Sequence, residues 1–168
     1  MPFFQLYIER IDQLKYVQVA FDAYINSFLN MPAHMSFVSL CMALETVVSE
    51  KSELIYRIKR TVALICGDNE YHGNIIYDNI KLIYGLRSSI VHGDQIKYQL
   101  VYDYLPYLRS LVSRLVIELI HLNIKTPKEL QEKFLFVGFI NRNTIVPTEK
   151  LPINLFTQSD TMRSLKQK

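Results

Sequence analysis

Hydrophobic residues recur every three or four positions along most of the chain, which is the spacing that collects them on one face of an α-helix. In the first segment, Leu14, Val17, Phe21, Tyr24 and Phe28 follow this spacing. The pattern predicts an all-α protein built as an antiparallel helical bundle. The predicted helices cover roughly residues 5–29, 34–50, 52–67, 75–91 and 96–123, and a sixth begins at 126.

Short local signals mark several of the predicted helix ends. Ser52 is a predicted N-terminal cap, and Gly67 is predicted to end the helix that follows it. Gly93 is predicted to end the fourth helix. Thr126–Glu129 has the capping-box pattern with proline at the first helical position, and it is the clearest predicted helix start in the chain.

Two segments leave alternatives open. Pro106 lies inside the fifth helix and predicts a kink, or a break with a new start near Asp103. The apolar run 134–140 is predicted to be helical, with a strand as the alternative. We divide the chain into a helical domain, residues 1–142, and an extended C-terminal tail, residues 143–168, of which about the last eight residues are predicted to be disordered.

The composition agrees with one compact helical domain. Of the 168 residues, 49% are apolar and only five are glycine and six proline, which argues against a strand-and-turn architecture. The net charge of +3 permits an anionic partner without requiring one. Cys41 and Cys66 have no metal-binding spacing and are predicted to be buried, reduced thiols of a cytoplasmic protein. No signal peptide or membrane-spanning segment is predicted, so no membrane partner is expected.

The segment from Tyr84 to Asp94 carries the residues with the most chemical potential. Arg87 has apolar neighbours on its helix and needs a partner, because burying an unpaired guanidinium is costly. His92 lies at a predicted helix C-terminus, where a protonated imidazole is favoured. Five residues separate the two, which is about 140° around an ideal helix. Cooperation within one chain therefore requires the helix to unwind before His92.

The run Tyr84-Gly-Leu-Arg87-Ser-Ser-Ile-Val-His92-Gly93 resembles the signature of the HEPN superfamily, especially its Apea-like branch. Ala43–Glu45 and Arg57 or Arg60 also resemble that branch, and the similarity covers roughly residues 34–122. The resemblance implies a HEPN-type helical bundle that dimerises. It also implies a metal-independent ribonuclease whose active site, at the dimer interface, contains Arg87 and His92. Family members often have Asn, Asp or His where this chain has Ser88.

The implied chemistry is cleavage of RNA by attack of its own 2′-hydroxyl on the adjacent phosphate. His92 is the predicted proton donor or acceptor, and Arg87 is the predicted cation for the phosphorane. Ser88 is expected to hydrogen-bond a phosphate or to orient His92. No metal or other cofactor is predicted. The expected partners are RNA, a second copy of the chain, and an antitoxin or another effector component, in a toxin or phage-defence setting that the resemblance alone suggests.

Supporting residues have structural interpretations beside their functional ones. Glu45 is expected to pair with Arg60 or Arg87. Arg57 and Arg60 share a helix flank and form either a solvated ion-pair surface, in which Glu53 pairs with Arg57, or a phosphate-binding edge. Asp94 either accepts a proton from His92 or caps a turn, and the turn is favoured.

Aromatic residues mostly lie on the helical stripes and are expected to pack in the core. Tyr98, Tyr102 and Tyr104 follow the motif and are the predicted exceptions that stack on bases. Two rival functions remain open beside the nuclease. One is a non-catalytic RNA- or nucleotide-binding and dimerisation module, and the other is a structural role in which Arg87 and His92 close a buried polar network.

Overall fold

The computed structural model of the protein describes residues 3–29, 31–50, 52–93, 96–134 and 163–167. These residues form seven α-helices and short 3₁₀ turns, with no strand among them. The helices are α1 Phe3–Arg10, α2 Lys15–Asn26, α3 Ala33–Glu45, α4 Leu54–Cys66, α5 Glu70–His92, α6 Tyr98–Leu122 and α7 Pro127–Phe134. The predicted all-α bundle is confirmed.

The helices pack around one continuous core. Helix α2 lies against α3 and α6, α3 also lies against α5 and α6, and α4 pairs with α5. The core is filled by apolar side chains with no exposed surface, including Leu40, Ile80 and Leu108. Burial of such side chains is the main force that holds amphipathic helices together. None of the described helices is both long enough and apolar enough to pass through a lipid bilayer.

The first predicted helix is in fact two helices separated by a 3₁₀ turn at Ile11–Gln13. The backbone of Leu14 leaves the helical region, with φ −111° and ψ 60°. The break lets Ile11 and Leu14 both enter the core. It also turns Arg10 toward the end of α6, where its guanidinium donates to the carbonyls of Ile120 and His121 at 3.0 and 2.9 Å. Free carbonyls at a helix C-terminus are favourable partners for a cation.

Helix α5 begins at Glu70, inside the segment predicted to be a loop. Asn69 caps it, because its side-chain oxygen accepts a hydrogen bond from the backbone N–H of His72 at 2.8 Å. Gly67 ends α4 as predicted, but in an extended conformation. A Cβ atom at Gly67 would lie 2.6 Å from the Ala63 carbonyl oxygen and 2.9 Å from the Cα of Gly73. The two glycines therefore allow α4 and α5 to meet in a tight connection.

The other predicted helix ends have mixed outcomes. Gly93 ends α5 with a left-handed backbone, φ 73°, as the sequence predicts. At the start of α7, the Thr126 hydroxyl accepts from the Glu129 N–H at 3.2 Å, as expected of a capping box. The prediction for Ser52 is wrong, because Glu53 is the N-cap of α4, with φ 52° and no side-chain cap. Helix α6 continues through Pro106, so the alternative of a new start near Asp103 is also wrong.

The C-terminal predictions fall largely outside the described residues. Phe134 is the last residue of α7, and the rest of the run 134–140, together with the proposed boundary at 142/143, lies outside them. The expected disorder of the last eight residues does not hold for residues 163–167. This segment packs against α5, with Leu165 buried.

Candidate functional site

Arg87 and Glu45 form an ion pair between α5 and α3. The Arg87 Nη2 atom lies 3.5 Å from Glu45 Oε1, and the two side chains are 31% and 28% exposed. Glu45 is the last residue of α3, so its carboxylate lies at the edge of the core. The prediction that Glu45 pairs with a cation is confirmed, and of its two candidate partners Arg87 is the one that the ion pair contains.

Tyr84 and Cys41 support this pair from inside the bundle. The Tyr84 hydroxyl donates to the Cys41 carbonyl at 3.2 Å and also lies 3.5 Å from Glu45 Oε1. Burial raises the pKa of the Tyr84 hydroxyl far above its usual value, and the Glu45 charge adds to that rise. Burial likewise raises the pKa of the Cys41 thiol, although the nearby Arg87 charge opposes it. Both groups remain protonated at neutral pH, so Cys41 is a packing residue rather than a nucleophile.

Arg87 retains hydrogen-bonding capacity beyond this ion pair. A guanidinium has five N–H donors, and the contact with Glu45 involves Nη2. The Arg87 Nε atom is buried and makes no hydrogen bond within the described part of the chain. A buried donor without a partner is costly and marks a place where a water molecule or a ligand oxygen would be stabilised.

Ser88 and His92 lie on the surface of α5. Both residues are exposed and are four positions apart, so they share one side of the helix. Helix α5 remains helical through His92 and ends at Gly93. The unwinding that an intrachain site requires is therefore not observed, and Arg87 and His92 are separated by about 140° around the helix axis. No hydrogen bond or ion pair joins these two described residues.

Arg57 and Arg60 lie in a different place from Arg87. They contribute to a pocket of about 680 Å³ between α4 and α7, and neither Arg87, Ser88 nor His92 lines it. Arg57 pairs with Glu50 at 3.0 Å, instead of the predicted Glu53, and its Nε donates to the Ser52 carbonyl at 3.0 Å. Three carboxylates and three cations line the pocket, in the set Glu50, Glu53, Glu132, Arg57, Arg60 and Lys128. This balance favours the ion-pair interpretation of Arg57 over a phosphate-binding edge.

The remaining predicted site residues have separate outcomes. Asp94 lies outside the described residues, so its two interpretations stay open. Tyr98 and Tyr102 are exposed on α6, as expected for residues available to stack on bases, whereas Tyr104 is buried and the prediction for it is wrong. His34 packs its ring edge-on against Tyr98 at a centroid distance of 5.9 Å.

A buried polar cluster near the start of α5 was missed by the sequence analysis. Arg114, only 2% exposed, donates from Nε to Glu118 at 3.0 Å and from Nη2 to Asp68 at 2.9 Å. The other Asp68 carboxylate oxygen lies 3.2 Å from Nδ1 of the fully buried His72. The signal for the first contact is the i, i+4 spacing of Arg114 and Glu118 on an otherwise apolar stripe of α6. The contacts to Asp68 have no comparable local signal.

The described residues contain no group of three or more His, Cys, Asp or Glu side chains placed to hold a metal ion. Comparison of the chain with protein-family models, with curated proteins and with solved structures finds no match. The resemblance to HEPN proteins therefore rests on the sequence run in α5 and on the shorter similarities at Ala43–Glu45 and at Arg57 or Arg60 alone.

Proposed function

We propose that two copies of this chain form a homodimer that cleaves RNA without a metal cofactor, as the HEPN-like motif implies. The observation that carries the proposal is the state of Arg87. Among the described residues it contacts one carboxylate, at 3.5 Å, and its buried Nε has no hydrogen-bond partner, while the side chain is 31% exposed. A guanidinium that is oriented but incompletely paired is well suited to bind a phosphate.

The proposed site requires residues from both copies. Helix α5 is unbroken from Glu70 to His92, so Arg87 and His92 of one chain point to different sides. A two-fold axis close to the end of α5 would bring Arg87 of each chain toward the partner's His92. This arrangement is isologous, which is the usual symmetry of homodimers.

Exposed apolar side chains near the motif support pairing of this face. Helical spacing places Met42 beside Glu45 on α3 and Val91 beside Arg87 on α5, and both are exposed. Tyr98 and Tyr102, in the first turns of α6, are exposed as well. Large apolar and aromatic residues exposed together are typical of interaction surfaces.

In the proposed reaction the RNA 2′-hydroxyl attacks the adjacent phosphorus and the bond to the 5′-oxygen breaks. The 2′-hydroxyl loses a proton and the 5′-oxygen gains one: His92 makes one of these two transfers, water makes the other, and Arg87 binds the charged phosphorane. Ser88, four residues before His92 on the same side of α5, hydrogen-bonds the phosphate or the imidazole. The products are a 2′,3′-cyclic phosphate and a 5′-hydroxyl, and no cofactor takes part.

The test is cleavage of labelled RNA in the presence of a chelator. The unmodified chain should cleave, and His92→Ala should lower the rate by about 10²- to 10⁴-fold, the usual contribution of a general acid or base. His121→Ala is a matched control, because His121 lies in the last turn of α6 as His92 does in the last turn of α5. Cleavage that survives His92→Ala would remove the proposed mechanism.

Mixing two inactive variants tests the shared site. A heterodimer of Arg87→Ala and His92→Ala chains has one complete site if the arginine and histidine come from different chains, and none if they come from the same chain. Random mixing should therefore restore about a quarter of the original rate. A mixture that stays inactive while still forming dimers would contradict the two-chain site.

The second candidate is a non-catalytic RNA- or nucleotide-binding module. The continuous helix favours it for a monomer, because Arg87 then binds a phosphate with no imidazole beside it. A shift of labelled RNA without shortening, lost in Arg87→Ala and kept in His92→Ala, would support this candidate. For either function we propose a cytoplasmic toxin or phage-defence setting, with an antitoxin or another effector as partner, and this rests on the resemblance alone.

A further inference from the structure

The segment 163–167 is attached to α5 by the side chain of one buried residue. Asn79 has no exposed surface, and its Nδ2 donates to the Arg163 carbonyl at 2.8 Å. Its Oδ1 accepts from the Leu165 backbone N–H at 2.9 Å. The amide therefore bonds the two backbone groups that flank residue 164, just where the chain enters the 3₁₀ helix Leu165–Gln167. Recognition of this kind reads the backbone and does not depend on the side chain at residue 164.

Side chains on either side of the Asn79 contact add selectivity. Leu165 is buried against the bundle and is the apolar anchor of the segment. Lys166 forms an ion pair with Asp78, the residue before Asn79 on α5. Arg163 donates from Nη2 to the Asp103 carbonyl on α6 at 3.2 Å. These contacts thus select a leucine with one cation directly after it and another two positions before it.

We propose that the groove around Asn79, between α5 and the first turns of α6, is a peptide-binding site for a basic-x-Leu-basic segment that enters a 3₁₀ helix at its leucine. Its occupant is the chain's own Arg163–Lys166, bound within the same molecule. Residues 135–162 connect α7 to this segment. Tethering makes the contact intramolecular, so a segment with weak intrinsic affinity still fills the groove. The site is distinct from Arg87 and His92, and its occupancy is measured without RNA.

Emptying the groove in the full chain exposes the proposed site to a free peptide. Leu165→Asp removes the apolar anchor and places a carboxylate where Leu165 is buried. A fluorescent peptide with the sequence of residues 160–168 should then bind this variant saturably, in a fluorescence-anisotropy titration. It should bind at least about tenfold more weakly to the unmodified chain, whose tethered segment competes for the groove. Equal affinity for both chains, or no binding to a folded Leu165→Asp chain, would overturn the proposal.

A second substitution tests the two hydrogen bonds of the Asn79 side chain. Asn79→Ala combined with Leu165→Asp should abolish peptide binding, whereas the control Asn74→Ala, an exposed asparagine on the same helix, should preserve it. Asp78→Ala should weaken binding severalfold and reduce its salt dependence, and the partial exposure of Asp78 makes this variant safe for folding. Binding that is unchanged in both the Asn79 and the Asp78 variants would refute the assigned contacts.

Hydrogen exchange in the unmodified chain identifies the occupant. The Leu165 amide is bonded to a buried acceptor, so its exchange should be slow and independent of protein concentration if the segment docks on its own chain. Protection that falls on dilution would show that a second copy supplies the segment, and this would contradict the intramolecular occupant.

Discussion

Arg87 and Arg114 both contact carboxylates, but they differ in exposure and in the number of carboxylates they bind. Arg114 is 2% exposed and binds two carboxylates at 2.9 and 3.0 Å. Arg87 is 31% exposed and contacts one carboxylate at 3.5 Å. Arg114 joins the α4–α5 connection to the middle of α6, whereas Arg87 joins the end of α3 to the last turns of α5. Both are cation–carboxylate contacts, but their surroundings predict different roles.

The difference separates a buried structural contact from one that a ligand can reach. Arg114 also has a buried Nη1 atom with no hydrogen-bond partner among the described residues, but at 2% exposure its guanidinium is closed to a ligand, and its removal would leave buried carboxylates without compensation. An arginine at the surface with one distant partner contributes little to stability and can form stronger bonds to a phosphate. This contrast is why the proposed function is centred on Arg87 rather than on the better-formed cluster at Arg114.

Removing the Arg114 cation should have the largest effect on stability. Arg114→Met keeps most of the side-chain volume but leaves Glu118 buried beside Asp68 without a cation, so the free energy of unfolding should fall by about 3–5 kcal/mol. Denaturant unfolding followed by circular dichroism measures it. Adding Glu118→Leu to the same chain should restore part of the loss, because it removes the uncompensated buried charge. A loss below about 1 kcal/mol for Arg114→Met would erase the contrast between the two arginines.

The matching substitution at Arg87 should have a much smaller effect. Arg87→Met removes one partly exposed ion pair, so the free energy of unfolding should fall by no more than about 1 kcal/mol. The same denaturant experiment gives the comparison with Arg114→Met directly. A loss of several kcal/mol would instead support the structural role, in which Arg87 closes a polar network and binds no substrate.

Tyrosine titration tests the burial of Tyr84, which contacts Glu45, together with that of two other tyrosines. Burial raises the pKa of Tyr16, Tyr84 and Tyr107 above the usual value. Above about pH 10 the unfolded chain loses these protons and the folded chain keeps them, so stability is intact below that pH and falls as the pH rises past it. Absorbance at 295 nm should show that these three tyrosines ionise only when the chain unfolds.

Tyr84→Phe isolates the member of this set that contacts Glu45. The variant should lose about 0.5–1.5 kcal/mol at neutral pH, the net value of one hydrogen bond, and two tyrosines should then ionise late. If Tyr84 instead ionises while the chain is still folded, the surroundings of Arg87 and Glu45 are more open to solvent than the contacts of Tyr84 indicate.

The sequence predicts the helices well where periodicity and end signals agree. Gly93 and Thr126 were located because a left-handed glycine and a capping box depend on residues next to each other in the chain. The early start of α5 was missed because Gly73 weakens the helical pattern. A glycine is needed at position 73 because Gly67 approaches it closely, and only the fold reveals that approach. The break after Arg10 was missed because it also depends on residues distant in sequence. The Arg10 side chain binds the carbonyls of Ile120 and His121.

The candidate site was predictable to a similar degree. The need of Glu45 for a cation follows from its position on an apolar stripe, and spacing alone gave the separation of Arg87 and His92 around α5. The docking of Leu165 on Asn79 had no sequence signal, because it joins residues 86 positions apart through a backbone amide. The separation of Arg57 and Arg60 from the motif depends equally on how α4 and α7 pack.

At Gly93 the end of α5 is constrained by the handedness of the backbone torsion and not by the space available for a side chain. Its φ is 73°, yet a Cβ atom there would have no heavy atom of the described residues within 4 Å, apart from its chain neighbours and the backbone of α5 itself. An L-residue is disfavoured at this position because its own backbone resists that torsion. A mirror-image residue prefers the same torsion, so a chain made by chemical synthesis with D-alanine at position 93 should keep both the turn and the orientation of His92.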